Sequence, residues 1–203
     1  MFRKFISTTA AALCLLGCAG QKTFSKEEIA LIQQGADNGI MRVLTIEDPA
    51  DHAVLRMPSQ NLSAEALKSE EYATLCSLMV ATVTHPSQDG VGIAGPQVGL
   101  NRRVVAVQRF DKEGEPFEVY PNISIVLASD SLALGAEGCL SVPERRGEVM
   151  RSTEIVIEYD AVEKEAGKVL GIKTVQETIS GFTAVIFQHE IDHLDGILYI
   201  DRL

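Results

Sequence analysis

The order of the predicted elements along the chain limits which folds are open to it. Short segments with strand-like patterning fill the middle of the sequence, and one amphipathic helix follows them near the carboxyl end. A regular β–α–β fold would alternate strands and helices, so this order predicts an α+β fold instead. The segments that we predict to be strands are 41–46, 103–110, 118–127, 154–159, 168–175 and 197–200.

Serine residues mark where two earlier helices are predicted to begin. Ser25 and Glu28 have the spacing of a capping box, which predicts a short helix over 25–36. Ser63 precedes a longer run in which apolar residues recur at helical spacing, and Pro86 is expected to end that helix. Both helices precede the predicted strands of the middle region.

A glycine-rich stretch, GVGIAGPQVG, contains Gly90, Gly92 and Gly95 in the G-x-G-x-x-G pattern of dinucleotide-binding sites. That pattern requires a strand before it and a helix that opens from it. Only seven residues lie between Gly95 and Arg103, where the next strand is predicted, whereas a crossover takes at least about ten to twelve residues. We therefore predict a loop rather than a Rossmann fold, and we place Asp111 in a hairpin turn.

The first residues have the pattern of a bacterial lipoprotein signal peptide. Arg3 and Lys4 precede an uncharged apolar run that is too short to span a bilayer, and the run ends in Leu-Leu-Gly-Cys at Cys18. This ending resembles a lipobox, in which a peptidase cuts before the cysteine and the cysteine is acylated. The expected organisation is a signal peptide over 1–17, a lipidated tether with a short helical lead over 18–40, and a catalytic domain over 41–203.

This interpretation predicts a protein that is anchored to the membrane through Cys18 and faces away from the cytoplasm. One alternative is an ordinary signal peptide or a buried N-terminal helix, in which Cys18 would be incidental. Another is translation from Met41, which would give a cytoplasmic product.

Composition argues against a nucleic-acid partner and against a disulfide framework. The formal net charge of −10 argues against a nucleic-acid partner, because phosphates would repel the protein. Cys14 and Cys18 belong to the expected signal segment, so only Cys76 and Cys139 remain, too few for a disulfide framework. Cys76 lies in a helical apolar pattern and is expected in the core.

We expect the protein to be a monomer.

The strongest chemical signal is the segment QHEIDHL, which contains H-E-x-x-H on the late predicted helix that Gly196 ends. His189 and His193 are four residues apart, so both imidazoles lie on one helix face and can bind one metal ion. Glu190 is adjacent to the first histidine and can act as a base toward a water molecule. The segment therefore predicts a catalytic metal site.

Such a site needs a third protein ligand and an open position. His52 and His85 are the other histidines, and both are expected at the surface. Cys139, in the segment EGCLS, can supply a thiolate, and the nearby glycines permit close backbone approach. From the residues alone, a small buried apolar role for Cys139 remains equally open.

Three segments, GVGIAGPQ, EGCLS and QHEIDHL, together resemble the motifs of peptide deformylases, in the same order along the chain. The resemblance covers 41–203. It implies an α+β fold in which mixed or antiparallel sheets pack around the metal-bearing helix. It also implies the removal of the formyl group from N-formylmethionyl peptides or proteins, with release of formate.

The resemblance assigns roles to individual residues. Cys139, His189 and His193 match the metal ligands, and Glu190 matches the general acid/base. Gln97 and the backbone N–H of Leu140 match the donors to the oxyanion. The residues that match the peptide-binding groove are Val91, Gly92, Gly138, Arg146, Phe182, Val185 and Ile186.

The family commonly uses one divalent metal ion, so the resemblance implies Fe²⁺, with Zn²⁺ or Ni²⁺ as alternatives. Position 95 is glycine where the family usually has alanine, which we expect to loosen the loop. Two other functions stay open from the residues. One is an extracytoplasmic metallopeptidase, and the other is a lipid-anchored peptide-binding protein without catalysis.

Overall fold

One helix near the carboxyl end contacts strands of all three sheets in the computed structural model, which describes residues 23–165 and 168–203. This helix is α5 (Gly181–Leu194), and most of its residues are buried. The expected signal peptide and Cys18 lie outside the described residues. None of the helices in the described ranges combines the length and the apolar character needed to cross a bilayer.

Four helices precede the first strand: α1 (Lys26–Asn38), α2 (Pro49–Leu55), α3 (Ala64–Leu67) and α4 (Glu70–Val83). The capping box that predicted α1 is present, because Ser25 Oγ accepts a hydrogen bond from the Glu28 N–H and the Glu28 carboxylate accepts one from the Ser25 N–H. Helix α2, with Asp48 as its N-cap, was not predicted.

The predicted helix that begins at Ser63 is two helices. Ser63 caps only α3, and Ser69 interrupts the helical pattern. The hydroxyl of Ser69 donates to the Ala66 carbonyl and accepts from the Tyr72 N–H, so it ends one helix and caps the next. The prediction of a single helix that ends at Pro86 was therefore wrong, since α4 ends at Val83.

Every pair of strands in the described ranges is antiparallel. The first sheet contains β1 (Gly92–Ala94), β2 (Val104–Gln108) and β3 (Phe117–Pro121) in that order. The second contains β4 (Ser124–Ala128), β7 (Glu154–Glu165) and β8 (Lys168–Ser180). The third is a hairpin of β5 (Leu132–Cys139) and β6 (Val142–Ser152). The α+β prediction is confirmed.

The rejection of a Rossmann fold is also confirmed. Between β1 and β2 the chain forms only a short 3₁₀ turn, Gly95–Val98, and no crossover helix. Asp111 lies in the turn between β2 and β3, as predicted. The predicted strand 118–127 is interrupted at Asn122, whose φ of 55° breaks the extended conformation between β3 and β4.

Two predicted strands are absent. The segment 41–46 donates one backbone hydrogen bond from Leu44 to Gln97 and another from Ile46 to Ser141. Two bonds to two different partners make no ladder, so the segment is irregular. The segment 197–200 enters a 3₁₀ helix, Tyr199–Arg202, because the Asp201 carboxylate accepts from the Leu198 N–H and caps it.

The core divides around α5. One cluster packs α4 against α1 and the first sheet, and it includes Ile32, Leu75 and Leu100. A second cluster packs the apolar face of α5 against the first and second sheets, and it includes Ile155 and Phe187. Cys76 is half-buried against the first cluster, as expected. Helix α5 is therefore held on several sides and gives its side chains fixed positions.

Candidate active site

Helix α5 and the β5–β6 hairpin bring three metal-binding side chains together. His189 and His193 lie one turn apart on α5, and Cys139 is the last residue of β5. One ligand atom from each of the three lies within 4.8 Å of the others. The Cys139 Sγ atom is 3.2 Å from His193 Nε2. Residues fifty positions apart in the sequence therefore form one compact donor cluster.

This cluster fits a divalent metal ion. One thiolate and two imidazoles are donors that suit zinc and iron, and three protein ligands leave a further position for water or substrate. His193 is 1% exposed, and its Nδ1 atom has no hydrogen-bond partner among the described residues. Burial lowers the pKa of His193, which keeps the imidazole neutral and able to bind a metal.

The orientation of His189 is set by a buried carboxylate. Glu137, two residues before Cys139, accepts a hydrogen bond from His189 Nδ1 at 2.7 Å, which leaves Nε2 as the atom available to a metal. Burial opposes ionisation of Glu137, but hydrogen bonds from His189 and Arg151 outweigh it and lower its pKa to about 2. A carboxylate in this position fixes the ring and increases its basicity as a ligand.

Arg151 joins the two elements that carry the donor cluster. Its guanidinium donates to both oxygens of Glu137 on β5, at 2.7 and 3.0 Å, and to Asp192 on α5 at 2.6 Å. Arg202 also binds Asp192 through two hydrogen bonds of 2.5 Å. Sequence reasoning assigned no role to these four residues. Glu137 and Asp192 do lie inside the quoted motifs, but nothing in the sequence pointed to Arg151 or Arg202.

Gln97 approaches the cluster from the 3₁₀ turn after β1. It is 1% exposed. Its Oε1 atom accepts a hydrogen bond from the Ala94 N–H at 2.8 Å, so the amide has only one orientation that satisfies this donor. Its Nε2 atom therefore faces the cluster, 3.6 Å from Cys139 Sγ and 3.2 Å from Ser141 Oγ. The side chain is fixed as a hydrogen-bond donor beside the cluster.

Glu190 lies beside the cluster and is almost fully buried. Burial raises its pKa to about 7, although the neighbouring His189 acts in the opposite direction. Its Oε2 atom has no hydrogen-bond partner among the described residues, which leaves a buried carboxylate oxygen free for an incoming group. Gly92 is packed against this side chain, since a Cβ at Gly92 would lie 2.9 Å from Glu190 Cγ and Cδ.

A groove of about 740 Å³ opens onto these residues. All seven residues predicted to bind peptide contribute to its lining, together with Gln97, Cys139, Leu140, His189 and Glu190; the seven are Val91, Gly92, Gly138, Arg146, Phe182, Val185 and Ile186. The sequence therefore selected residues that the fold brings to one place. Phe182 is 57% exposed and packs against Phe110 with the two rings tilted by 52° and their centroids 5.3 Å apart.

The remaining candidates lie elsewhere. His85 is exposed in the loop after α4, and His52 accepts a hydrogen bond from Arg56 on the surface of α2, so neither joins the cluster. We expected Gly95 to loosen its loop, but its surroundings are tightly packed. A Cβ at Gly95 would lie 2.5 Å from the Arg102 carbonyl oxygen and 2.8 Å from that of Leu100, so glycine permits a close approach of two backbone segments.

Comparison with known proteins gives consistent matches. The family model for polypeptide deformylase matches residues 40–203. A Vibrio cholerae protein named peptide deformylase 2 is 37% identical over 164 residues, which cover 81% of this chain and 86% of that protein.

Solved structures of peptide deformylases are also similar to this chain. A peptide deformylase from Acinetobacter baumannii with Met-Ala-Ser bound is 33% identical, with a TM-score of 0.68 over 81% of this chain and 98% of that one. A peptide deformylase from Thermotoga maritima is 32% identical, with a TM-score of 0.65 over 81% of this chain and 97% of that one.

Replacement of Cys139 should abolish stable metal binding. In Cys139→Ser a hydroxyl replaces the thiolate, and two imidazoles alone hold a divalent ion weakly. We expect metal content to fall well below one ion per chain after anaerobic loading and desalting, measured by elemental analysis. Cys76→Ser, which changes the other half-buried cysteine, is the matched control and should keep full occupancy. Full occupancy in Cys139→Ser would show that another residue completes the site.

Proposed function

The chain belongs to the polypeptide deformylase family of hydrolases, and on this basis we propose that it removes the formyl group from N-formylmethionyl peptides or proteins and releases formate. The observation that carries the proposal is the position of Glu190. Its buried carboxylate stands beside a Cys–His–His donor cluster at a groove that can admit a peptide. A protein that only binds peptides would gain nothing from such a buried, partly unsatisfied carboxylate.

We propose that Cys139, His189 and His193 hold a divalent metal ion, as the corresponding residues do in other members of the family. When bound, the metal would supply Lewis-acid activation, which lowers the pKa of a water molecule to about 7. The donor set alone does not select between metals. Fe²⁺ remains the ion that we propose, with Zn²⁺ or Ni²⁺ as alternatives, and a thiolate ligand makes the iron form sensitive to oxidation.

Glu190 moves the proton in this mechanism. Its carboxylate accepts a proton from water as the water oxygen forms a bond to the formyl carbon. It then gives that proton to the leaving nitrogen as the carbon–nitrogen bond breaks. The products are formate and a free amino group. Burial raises the pKa of Glu190 to about 7, close to neutral pH, which suits a group that must both take and return a proton.

The developing oxyanion needs hydrogen-bond donors that are already in place. Gln97 Nε2 is one, because the Ala94 N–H fixes the opposite end of its amide. The backbone N–H of Leu140, which follows Cys139 in the groove lining, is proposed as the second. Loss of one such donor typically costs about 10²–10³ in rate.

Selectivity for formyl over acetyl groups follows from the packing of Gly92 on Glu190. This contact leaves no space for a Cβ at position 92, and Gly92 lines the groove together with Glu190. A formyl carbon carries only hydrogen on its far side, whereas acetyl carries a methyl group. Phe182, Val185 and Ile186 form an apolar side of the groove and are proposed to contact the methionine side chain. The Met-Ala-Ser peptide in the Acinetobacter baumannii structure is consistent with such a substrate.

We also propose that the full-length product is a lipoprotein on the extracytoplasmic face of a membrane, with Cys18 as the acylated residue. The support is the charged start, the short apolar run and the Leu-Leu-Gly-Cys ending of the sequence. Dual or triple acylation would anchor the protein firmly, because two or more chains exceed the marginal binding of one. Its substrates there would be formylated peptides outside the cytoplasm rather than nascent chains. A cytoplasmic product from Met41 is the alternative.

The metal-loaded protein should release formate from formyl-Met-Ala-Ser, and the product should differ from the substrate only by loss of CO, as measured by mass spectrometry. Glu190→Gln should keep its metal and lose about 10²–10⁴ in kcat, because only proton transfer is removed. Internal peptide fragments instead of the deformylated peptide would assign the protein to the peptidases. Turnover of Glu190→Gln close to that of the wild type would exclude Glu190 as the acid/base.

Gly92→Ala should also reduce turnover while leaving the metal bound. The new Cβ displaces the Glu190 side chain, and displacement of a catalytic group by about 1 Å can cost up to about 10²-fold in rate. Gly135→Ala is the matched control, because a Cβ at Gly135 meets nothing within 4 Å and the residue lies outside the groove lining. Equal kcat values for the two variants would contradict the proposed contact between position 92 and the base.

Metabolic labelling with a radioactive fatty acid tests the anchor. We expect label on the full-length protein in a membrane fraction, and loss of that label in Cys18→Ser. Cys14→Ser changes the other cysteine of the same segment and should remain labelled. An unlabelled soluble protein whose first residue is Met41 would support the cytoplasmic alternative.

A further inference from the structure

Helix α1 lies before the family match, which begins at residue 40, yet it is packed on the catalytic fold. Phe24 and Ile32 are 4% and 3% exposed and belong to the core cluster under α4. A Cβ at Gly35 would lie 2.9 Å from Met41 Cγ and 3.0 Å from Leu78 Cδ1, so this face of α1 fits closely against its neighbours. Close fit of this kind is typical of core packing rather than of a tether.

Glu28 connects α1 to the loop that carries Gln97. Its carboxylate receives two hydrogen bonds from Arg102, at 2.5 and 2.9 Å, and both side chains are largely buried, at 17% and 9% exposure. The same carboxylate accepts the Ser25 N–H at 2.7 Å in the capping box. The start of α1 and the guanidinium of Arg102 therefore share one anchoring group.

The backbone of Arg102 is in contact with the 3₁₀ turn that contains Gln97. The carbonyl oxygens of Leu100 and Arg102 face Gly95 at distances that exclude any side chain there. Leu100 donates its N–H to the Gly95 carbonyl at 3.0 Å, which closes the turn around Gln97. A displacement of Arg102 would therefore shift the backbone at Gly95, two residues before Gln97.

The other contacts between α1 and this loop are apolar, and Ile32 shares a core cluster with Val98 and Leu100. Leu31 Cδ1 lies 3.7 Å from the position of a Cβ at Gly99, and a cleft of about 290 Å³ lies between α1, α2 and the loop. Among the described residues, the Glu28–Arg102 pair is the ion pair that joins α1 to the loop that carries Gln97.

We propose that α1 is an integral part of the catalytic unit and that Glu28 is a positioning residue, which acts through Arg102 to hold Gln97 in its donor position. The inference rests on the proposed function for its kinetic consequence, but its structural part is independent of that function. It goes beyond the expectation that 18–40 is a lipidated tether with a short helical lead.

Met41 gives a second argument for α1 as part of the unit. Met41 is 4% exposed, and its N–H donates to the buried Thr82 Oγ1 at 2.9 Å. A chain that began at Met41 would place a charged amino group at this buried position, which is costly. It would also leave the Arg102 guanidinium without its carboxylate partner.

The test uses the full chain with Glu28→Gln. Glutamine keeps an oxygen for the Ser25 N–H, so the cap is preserved while the charge that pairs with Arg102 is removed. Glu27→Gln is the matched control, because Glu27 is exposed in the same turn and forms no ion pair in the described ranges. Hydrogen exchange measured by mass spectrometry reports the 95–102 segment directly. We expect faster exchange there in Glu28→Gln and wild-type exchange in Glu27→Gln; unchanged exchange in both would overturn the proposal.

Kinetics separate positioning from a general loss of stability. Well below the unfolding temperature, Glu28→Gln should lower kcat about tenfold with little change in KM, which is less than the loss expected on removing the donor itself. In a Gln97→Leu background the same change should no longer lower kcat, because the donor that Glu28 positions is already gone. An undiminished effect in that background would overturn the role assigned to Glu28. A wild-type protein that releases no formate would refute the proposed function instead, and hydrogen exchange would still decide the structural part.

Discussion

The salt bridges of Arg151 hold the two halves of the metal site together. Arg151 binds Glu137 on the β5–β6 hairpin and Asp192 on α5, and all three side chains are buried. Removal of one partner from such a buried pair typically costs about 3–5 kcal/mol, because a charge is left without compensation. The hairpin carries Cys139 and the helix carries His189 and His193, so the geometry of the donor cluster depends on these charges.

The same network sets the chemistry of the ligands. Arg151 keeps Glu137 ionised, and ionised Glu137 fixes the ring of His189. Asp192 lies on the same helix between the two histidines and also binds Arg202, which ties the 3₁₀ helix at the end of the described chain to α5. The same buried groups thus stabilise the fold and orient the ligands. Fixed orientation matters in a metal site because the ligands must not rearrange around the ion.

The sequence predicted the parts of the site that depend on local spacing and missed those that depend on pairing across strands. H-E-x-x-H indicated two ligands and a base, because helical periodicity places the two histidines on one face and the glutamate is adjacent to the first of them. Cys139 required the family resemblance, since the β5–β6 hairpin was not predicted. Its glycines and charged residues hide the alternation of a half-buried strand. Without that hairpin, the pairing of Glu137 with Arg151 could not be inferred.

The irregular segment 41–46 also shows that local composition did not predict pairing between distant parts of the chain. The segment 41–46 has the composition of a strand, yet its backbone N–H groups donate to Gln97 and to Ser141, which belong to two different loops beside the donor cluster. These bonds connect the loop of Gln97 and the loop of Cys139 to one short piece of chain, which α1 and α4 hold through Met41. In this irregular conformation, one stretch of backbone contacts both loops and sets the distance between them.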